Sequence, residues 1–191
     1  MGLPQRIHHY TEAEFAALVR GSDKRLELWN GEIYDMSYTS PSHRDIVKNL
    51  DKALSAKLKA PCETRMSEPV RPPKTTGLYR EPDLVVLCGP RKIETHQGFA
   101  LTVNPVVVIE VVSPETERFD RNEKLDEYRR IATLREYLIV SQRSAVVNQW
   151  TRHGDLWRET VVSGTAAALS LSLSPKVTLA MKEIYRGVSF K

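Results

Sequence analysis

The spacing of apolar residues divides the first part of the chain into two helices and a hairpin. Between Pro41 and Lys59, apolar residues recur every three or four positions, which predicts the longest helix. A shorter helix is predicted over residues 11–20, where Thr11 and Glu14 have the spacing of a capping box. An Asn-Gly dipeptide favours a tight type I′ turn, so residues 25–37 are expected to form a β-hairpin.

Apolar runs in the second part of the chain predict buried strands. The runs at residues 83–88, 106–112 and 136–141 are rich in aliphatic residues, many of them β-branched, which favour a packed sheet. A helix is predicted to begin at Asp120, because Asp120 and Glu123 repeat the capping-box spacing. Two further segments, AVVNQWT and LWRETVV, predict a second hairpin.

These elements describe an α/β or α+β protein with a mixed sheet flanked by helices. A chain of 191 residues can bury one substantial core, and no linker or internal repeat divides it, so we expect a single domain over residues 1–191. The hydrophobic content of 41% and charged content of 27% exclude a disordered or fibrous protein. The net charge of +4 is compatible with an anionic partner but does not require one.

One acidic residue stands inside the most apolar strand. In the run VVVIEVV, Glu110 shares a face with Val106, Val108 and Val112, because side chains alternate along a strand. Taken alone, such a glutamate more often reaches solvent or an arginine. However, Asp83 opens a second apolar strand, and if the two carboxylates lie side by side, either one pKa is pushed upward or a cation bridges them. A divalent metal ion is the simplest resolution. Carboxylate oxygens select Mg²⁺ or Mn²⁺ over zinc, and these ions are typical of phosphoryl chemistry.

The cysteines and the start of the chain bear on the compartment. Cys62 and Cys88 form neither a metal-binding spacing nor a disulfide framework, which favours a reducing, intracellular environment. The first ten residues hold no signal-peptide core, and no stretch approaches the roughly 18 apolar residues of a membrane span. We therefore expect a cytoplasmic protein that does not bind membranes.

The order of the motifs resembles a known family. Glu-Pro-Asp at residues 81–83, Ile-Glu-Val-Val-Ser-Pro at residues 109–114, and then Asp120, Lys124 and Tyr128 are similar to the Uma family of endonucleases. These are restriction-endonuclease-like proteins of the PD-(D/E)XK superfamily. The upstream Glu27, Asn-Gly-Glu and Ser-Pro-Ser-His segments also match, so the resemblance spans roughly residues 10–145. It implies a restriction-endonuclease-like core to which extra β-hairpins are attached.

The resemblance also implies a nuclease site in which Asp83 and Glu110 bind Mg²⁺ or Mn²⁺ while a lysine assists. The lysine that the superfamily usually carries two residues after the glutamate is Val112 here. Lys124, on the following helix, is the expected replacement and would orient the attacking water. The expected reaction is hydrolysis of DNA phosphodiester bonds, in which the ion lowers the pKa of a bound water and neutralises charge on the phosphate.

Several candidate residues also have a structural interpretation. Glu27 is a candidate third metal ligand and catalytic carboxylate, or else it forms an ion pair across its hairpin. His43 is a candidate proton carrier or phosphate contact, or else it only caps or packs. Lys124 could equally be a solvated helix lysine. Asp120 is interpreted as a helix cap and Tyr128 as a core residue.

Basic residues on the predicted loops and helix around the carboxylates form a candidate rim for phosphate contacts, or else they are solvated surface charge. These residues are Arg71, Lys74, Arg80, Arg118, Arg121, Arg129 and Arg130.

Three functions follow from this interpretation. The first is a metal-dependent endonuclease acting on DNA. The second is a catalytically inactive module on the same fold that binds nucleic acid or protein, which Val112 favours. The third is a metal-dependent hydrolase of a smaller phosphorylated substrate. Exposed edge strands and the habit of the superfamily favour a homodimer.

Overall fold

A six-stranded mixed sheet forms the centre of the computed structural model, which describes residues 9–36 and 39–190. The strands, in chain order, are β1 (Leu26–Trp29), β2 (Glu32–Asp35), β3 (Cys62–Met66), β4 (Leu84–Cys88), β5 (Ile93–His96), β6 (Phe99–Thr102), β7 (Val107–Val112), β8 (Glu136–Ser141), β9 (Val146–His153), β10 (Leu156–Ser163), β11 (Ala168–Leu171) and β12 (Val177–Ala180). The central sheet has the order β10-β9-β8-β7-β4-β3, and only β7 and β8 run parallel. The remaining strands form the two-stranded sheets β1-β2, β5-β6 and β11-β12. The first predicted hairpin is β1-β2, and the second is β9-β10, which belongs to the central sheet.

Helices lie on both faces of this sheet. They are α1 (Glu12–Arg20), α2 (Pro41–Ser55), α3 (Pro114–Phe119), α4 (Leu125–Tyr128) and α5 (Met181–Ile184). A π-helical turn, Asp120–Lys124, joins α3 directly to α4. None of the helices in the described residues has the length and apolar character that crossing a bilayer requires. The cytoplasmic location and the assignment of residues 1–191 to one domain stay predictions.

The predicted alternation along β7 is confirmed. Val107, Ile109 and Val111 belong to a core that includes the buried side of α2, whereas Val108 and Val112 belong to a second core beneath α4. All six residues of the strand are buried. Glu110 therefore points to the α4 side of the sheet, in the same row as Val108 and Val112.

The helices and turns of the first part follow the predictions closely. Thr11 caps α1, and both hydrogen bonds of the capping box with Glu14 are present. Asn30 and Gly31 have φ values of +47° and +83°, as a type I′ turn requires. The predicted hairpin ended at residue 37, which lies outside the described residues. The long helix ends at Ser55, four residues before the predicted Lys59.

Three parts of the sequence interpretation were wrong or incomplete. The helix after β7 begins at Pro114, because Ser113 accepts the backbone N–H of Thr116 as its cap, so Asp120 is no N-cap. The strand β3 and the hairpin β5-β6 were not predicted. Their alternation is weak: β5 is exposed at three of its four residues, and β3 mixes half-buried and exposed residues.

The expectation that the cysteines form no disulfide was also wrong. Cys62 lies directly opposite Cys88 in the antiparallel pair β3-β4, and the two side chains form a disulfide. The two cysteines are 26 residues apart in the sequence, a spacing that does not indicate a disulfide. The pairing becomes visible only when β3 is placed beside β4.

Candidate active site

The register of β4 and β7 brings two predicted site residues to the same level. Leu84 lies opposite Ile109 in this antiparallel pair. Asp83, one residue before Leu84, therefore lies beside Glu110, one residue after Ile109. The backbone N–H of Val111 donates a hydrogen bond to Oδ2 of Asp83 at 2.8 Å. Both carboxylates line one cleft of about 450 Å³, although each residue is nearly buried, at 6% and 4% exposure.

The carboxylate of Asp83 contacts two side chains that can carry a positive charge. Nη1 of Arg25 lies 3.2 Å from its Oδ1, and Nε2 of His43 lies 3.1 Å from its Oδ2. Burial would raise the pKa of Asp83, but the contacts with His43, Arg25 and the Val111 N–H hold that pKa below its ordinary value. The carboxylate is therefore ionised at neutral pH.

The fold of α2 places His43 at the cleft. Ser40 is the N-cap of this helix, and its hydroxyl accepts the backbone N–H of His43 at 3.0 Å. The imidazole then projects from the first turn toward Asp83 and lines the cleft. On the far side, the hydroxyl of Ser40 donates to Oε1 of Gln142 at 2.5 Å, which links α2 to the loop after β8.

Glu110 belongs to a buried cluster around one ammonium group. Nζ of Lys124 lies 3.2 Å from Oε1 of Glu110, 3.3 Å from Oε2 of Glu27 and 3.3 Å from Oδ1 of Asp120. The hydroxyl of Tyr128 donates to Oε1 of Glu110 at 3.0 Å. Lys124 is only 2% exposed, so its interpretation as a solvated helix lysine is wrong. Tyr128 is a core residue, as predicted, and also contacts the site.

Burial and the neighbouring carboxyl groups together determine the protonation of this cluster. Burial raises the pKa of Glu110 to about 8, and the neighbouring Asp120, Asp83 and Glu27 act in the same direction against Lys124. Burial also raises the pKa of Asp120. By contrast, Glu110, Glu27 and Asp120 outweigh burial at Lys124 and raise its pKa above the ordinary value, so the ammonium stays charged.

Glu27 lies behind the cleft. Its Oε1 accepts the backbone N–H of Glu81 at 3.0 Å, and its other oxygen contacts Lys124. Although burial opposes ionisation, Lys124, Arg80 and the Glu81 N–H hold the pKa of Glu27 below its ordinary value. Its neighbour across the hairpin is Tyr34, so the predicted cross-hairpin ion pair is wrong. Within the described residues, the wall of the cleft includes Asp120 but not Glu27.

Two site residues were missed by the sequence interpretation. Asp120 enters the cluster because the π-helical turn directs it and Lys124 to the same side, and such turns are frequent at functional sites. The four-residue spacing of Asp120 and Lys124 was the available signal. Arg25 lines the cleft beside Asp83, and its signal was the two-residue spacing from Glu27 on one strand face.

Only some residues of the predicted basic rim are exposed. Arg80 is fully buried, forms an ion pair with Glu127 at 2.7 Å and stacks over the ring of Trp29, so its assignment to the rim was wrong. Arg121 is held by ion pairs with Glu117 and Glu159. Side-chain nitrogens of Arg71 lie near the carboxylates of Glu12 and Glu94. Exposed members of the predicted rim are Lys74, Arg118 and Arg130.

The chemistry of the cleft carboxylates fits a hard divalent cation. Asp83 and Glu110 offer oxygen ligands, and burial together with the neighbouring Asp120, Asp83 and Glu27 raises the pKa of Glu110. No three His, Cys, Asp or Glu side chains in residues 9–36 and 39–190 are arranged as a metal-binding group. Two carboxylates such as Asp83 and Glu110 are compatible with Mg²⁺, which keeps several waters and commonly uses only one or two carboxylates.

Comparison with known sequences identifies the family. The family model Uma2, described as "Putative restriction endonuclease", matches residues 12–182. The chain belongs to the Uma2 family. Two relatives from Synechocystis sp., both described as uncharacterized, are the proteins slr1290 and sll1609. The first is 31% identical over 166 residues, covering 86% of this chain and 85% of the relative. The second is 28% identical over 164 residues, covering 85% and 92%.

A solved structure supports the fold of this Uma2 protein. The crystal structure from Anabaena variabilis, described as "a putative nuclease belonging to DUF820", has a TM-score of 0.66 at 14% identity. The match covers 86% of this chain and 91% of that one. The predicted family and the predicted mixed sheet on a restriction-endonuclease-like core are therefore confirmed. The protein is a member of a nuclease family.

Proposed function

We propose that this Uma2 protein is a Mg²⁺- or Mn²⁺-dependent endonuclease that hydrolyses phosphodiester bonds of DNA. One observation carries the proposal: Asp83 and Glu110, from neighbouring strands, line the same cleft with the ammonium of Lys124 against Glu110. A metal-dependent nuclease needs carboxylates where a cation and a phosphate can meet, and the shared cleft of Asp83 and Glu110 supports this role. Membership of a nuclease family supports the same reaction class.

Asp83 and Glu110 would hold the ion. When bound, the ion would lower the pKa of a coordinated water and neutralise negative charge on the phosphate. Glu27, the third predicted ligand, is directed to Lys124, so its proposed contribution is to fix the ammonium beside Glu110. Lys124 in turn holds the Glu110 carboxylate at the cleft and supplies positive charge beside the attacking water.

His43 is the proposed proton carrier. Its Nε2 is within hydrogen-bond distance of Asp83, and its side chain is partly open to the cleft at 14% exposure. An imidazole in this position can accept a proton from water and pass it to solvent. Asp83 would orient the ring, as carboxylates commonly orient catalytic histidines.

A binding module without catalysis is the second candidate function. Val112 is buried in the apolar core beneath α4, so the usual lysine position of the superfamily is filled by a hydrophobic side chain. The nuclease and the binding module differ in one measurable property, which is turnover of a nucleic acid in the presence of Mg²⁺ or Mn²⁺.

A plasmid nicking assay tests the proposal. Closed circular DNA would be incubated with Mg²⁺ or Mn²⁺ and with the wild type, Asp83→Asn or Glu110→Gln, and the matched control Asp126→Asn changes an exposed carboxylate of α4. We expect nicking by the wild type and the control, and loss of at least about a hundredfold in both site variants. Nicking that persists in both site variants overturns the proposed site. Binding of DNA by the wild type without any nicking favours the binding module.

A homodimer is part of the proposal. The strand β10 forms one edge of the central sheet and exposes Leu156 and Val161, at 76% and 57%. Unpaired edges of this kind are sites of strand pairing between chains. Sedimentation velocity of the wild type and of Val161→Lys tests the association, since a charge on the edge should shift the distribution to monomer.

A further inference from the structure

The cations of the cleft differ in their ability to contact a substrate. Among the cleft residues in the described part of the chain, the permanently charged ones are Arg25 and Lys124. An ammonium has three N–H donors, and Nζ of Lys124 already lies within 3.3 Å of carboxylates from three different residues. With 2% exposure, Lys124 is committed to the protein. Arg25 is the more accessible cation, because 20% of its side chain is exposed.

The guanidinium of Arg25 lines the cleft and is held there by acidic residues. Its Nη1 lies 3.2 Å from Oδ1 of Asp83, and its Nε lies 3.2 Å from Oε1 of Glu81. Its Nη2 donates to the backbone oxygen of Glu81. These contacts keep a planar fork of N–H donors next to the carboxylate that we assign to the ion. A fork of this shape matches two oxygens of a phosphate.

We propose that Arg25 binds the phosphate backbone of the substrate, and that its ion pair with Asp83 holds the guanidinium ready for this contact. This inference rests on the proposed nuclease function. A divalent cation and Arg25 would compete for the Asp83 carboxylate, because both are positive and Arg25 already contacts Oδ1 of that carboxylate. Once the cation neutralises Asp83, a phosphate in the cleft becomes the stronger partner for the guanidinium. Arg25 therefore weakens binding of the ion and strengthens binding of the substrate.

The inference predicts that Arg25 has opposite effects on the affinity for DNA and on the affinity for the divalent cation. Affinity for a fluorescein-labelled DNA duplex would be measured by anisotropy in Ca²⁺, which prefers oxygen ligands as Mg²⁺ does. The variants are Arg25→Gln and the control Lys24→Gln, which removes a neighbouring but exposed positive charge. We expect Arg25→Gln to weaken DNA binding about tenfold or more, as loss of a charge-assisted phosphate contact does, and Lys24→Gln by less than about twofold.

The second readout needs no DNA. Calorimetric titration with Mn²⁺ should show tighter binding to Arg25→Gln than to the wild type, which also establishes that the variant keeps its site. Arg25→Lys keeps the positive charge but lacks the planar fork of N–H donors. It should therefore bind Mn²⁺ as the wild type does, and bind DNA with an affinity between those of Arg25→Gln and the wild type. The slope of log affinity against log salt should fall by about one in Arg25→Gln.

The outcomes separate this inference from the proposed function. If the wild type nicks DNA and Arg25→Gln binds DNA as tightly as Lys24→Gln does, the role of Arg25 is overturned and the nuclease proposal stands. Weaker Mn²⁺ binding by Arg25→Gln also overturns it, because Arg25 would then support the ion site. If the wild type neither binds nor nicks DNA, the proposed function fails and this inference fails with it.

Discussion

The ammonium nitrogen of Lys124 lies 3.2 Å from Oε1 of Glu110, although the side chains come from a helix and from the centre of a sheet. The same nitrogen also contacts Glu27 and Asp120, so one buried ammonium is shared by the carboxyl groups of three buried residues. Breaking a buried ion pair by removing one partner leaves uncompensated charge, which costs more than the pair itself contributes. The stability of the site therefore depends on Lys124.

Replacement of Lys124 by methionine tests this dependence. We expect Lys124→Met to lower the free energy of unfolding by about 3–5 kcal/mol, because three buried carboxyl groups, including the ionised Glu27, lose the cation that they share. Urea denaturation near neutral pH measures the change, and Lys48→Met provides the control, since Lys48 is exposed on α2. A loss below about 1 kcal/mol, which is typical of an exposed pair, would contradict the finding that the cluster is buried and coupled.

The pKa of Glu110 predicts how stability varies with pH. Folding raises this pKa from 4.5 to about 8, so the folded protein binds the proton more tightly than the unfolded chain does. The stabilising contribution is fully present below the unfolded pKa and is lost as pH rises through about 8. Denaturation in EDTA should therefore show lower stability at about pH 8.5 than at about pH 5.5.

A neutral isostere identifies the group responsible. Glu110→Gln removes the titration, so its stability should fall less over the same pH range than that of the wild type. Glu63→Gln, which changes an exposed carboxylate of β3, should keep the wild-type slope. Equal slopes in the wild type and Glu110→Gln would assign the pH dependence to another group. The raised pKa of Asp120 gives the same sign and would be the next candidate.

Divalent cations should shift the pH dependence of activity. An ion at Glu110 requires the carboxylate form and displaces its proton, so affinity for the ion rises with pH. We expect nicking at low Mn²⁺ to increase toward a midpoint near pH 8 and this midpoint to move to lower pH as Mn²⁺ is raised. A midpoint that is independent of Mn²⁺ would argue against competition between proton and ion at Glu110.

The local elements of the fold and the position of Glu110 in the site could be predicted from the sequence. The capping box of Thr11 and Glu14 and the Asn30–Gly31 turn are decided by neighbouring residues, so pattern alone was sufficient. A glutamate inside a β-branched strand is costly, and that conflict identified Glu110 before any partner was known.

The remaining features depend on contacts between distant residues. Arg25 reaches Asp83 across 58 positions, and Lys124 reaches Glu27 across 97, so no local pattern reveals either pair. Asp120 was misinterpreted because Glu123 completed a capping pattern, whereas the helix had already begun six residues earlier at Pro114. Local capping rules identify an available helix start but do not exclude an earlier one.

Asp120 should act on the reaction through Lys124. Asp120→Asn keeps the shape of the side chain but removes its charge, so the ammonium should be held less firmly beside Glu110. We expect a loss of roughly tenfold to hundredfold in kcat, the usual cost of changing an outer partner of a metal site, with little change in KM. Asp126→Asn, on an exposed position of the next turn, is the matched control. If both variants lowered kcat equally, the contact between Asp120 and Lys124 would have only a structural role.

The missing superfamily lysine allows a direct test of Lys124. Val112 and Glu110 point to the same side of β7, so a lysine at position 112 would extend toward the α4 side of the sheet, where Lys124 now lies. We expect Lys124→Met to abolish nicking and the double variant Val112→Lys/Lys124→Met to recover part of it, because the charge returns from the strand. The recovery should accompany a gain in stability over Lys124→Met, measured by urea denaturation. Regained stability without regained nicking would mean that charge balance can be restored from the strand while catalysis requires the ammonium where the helix places it.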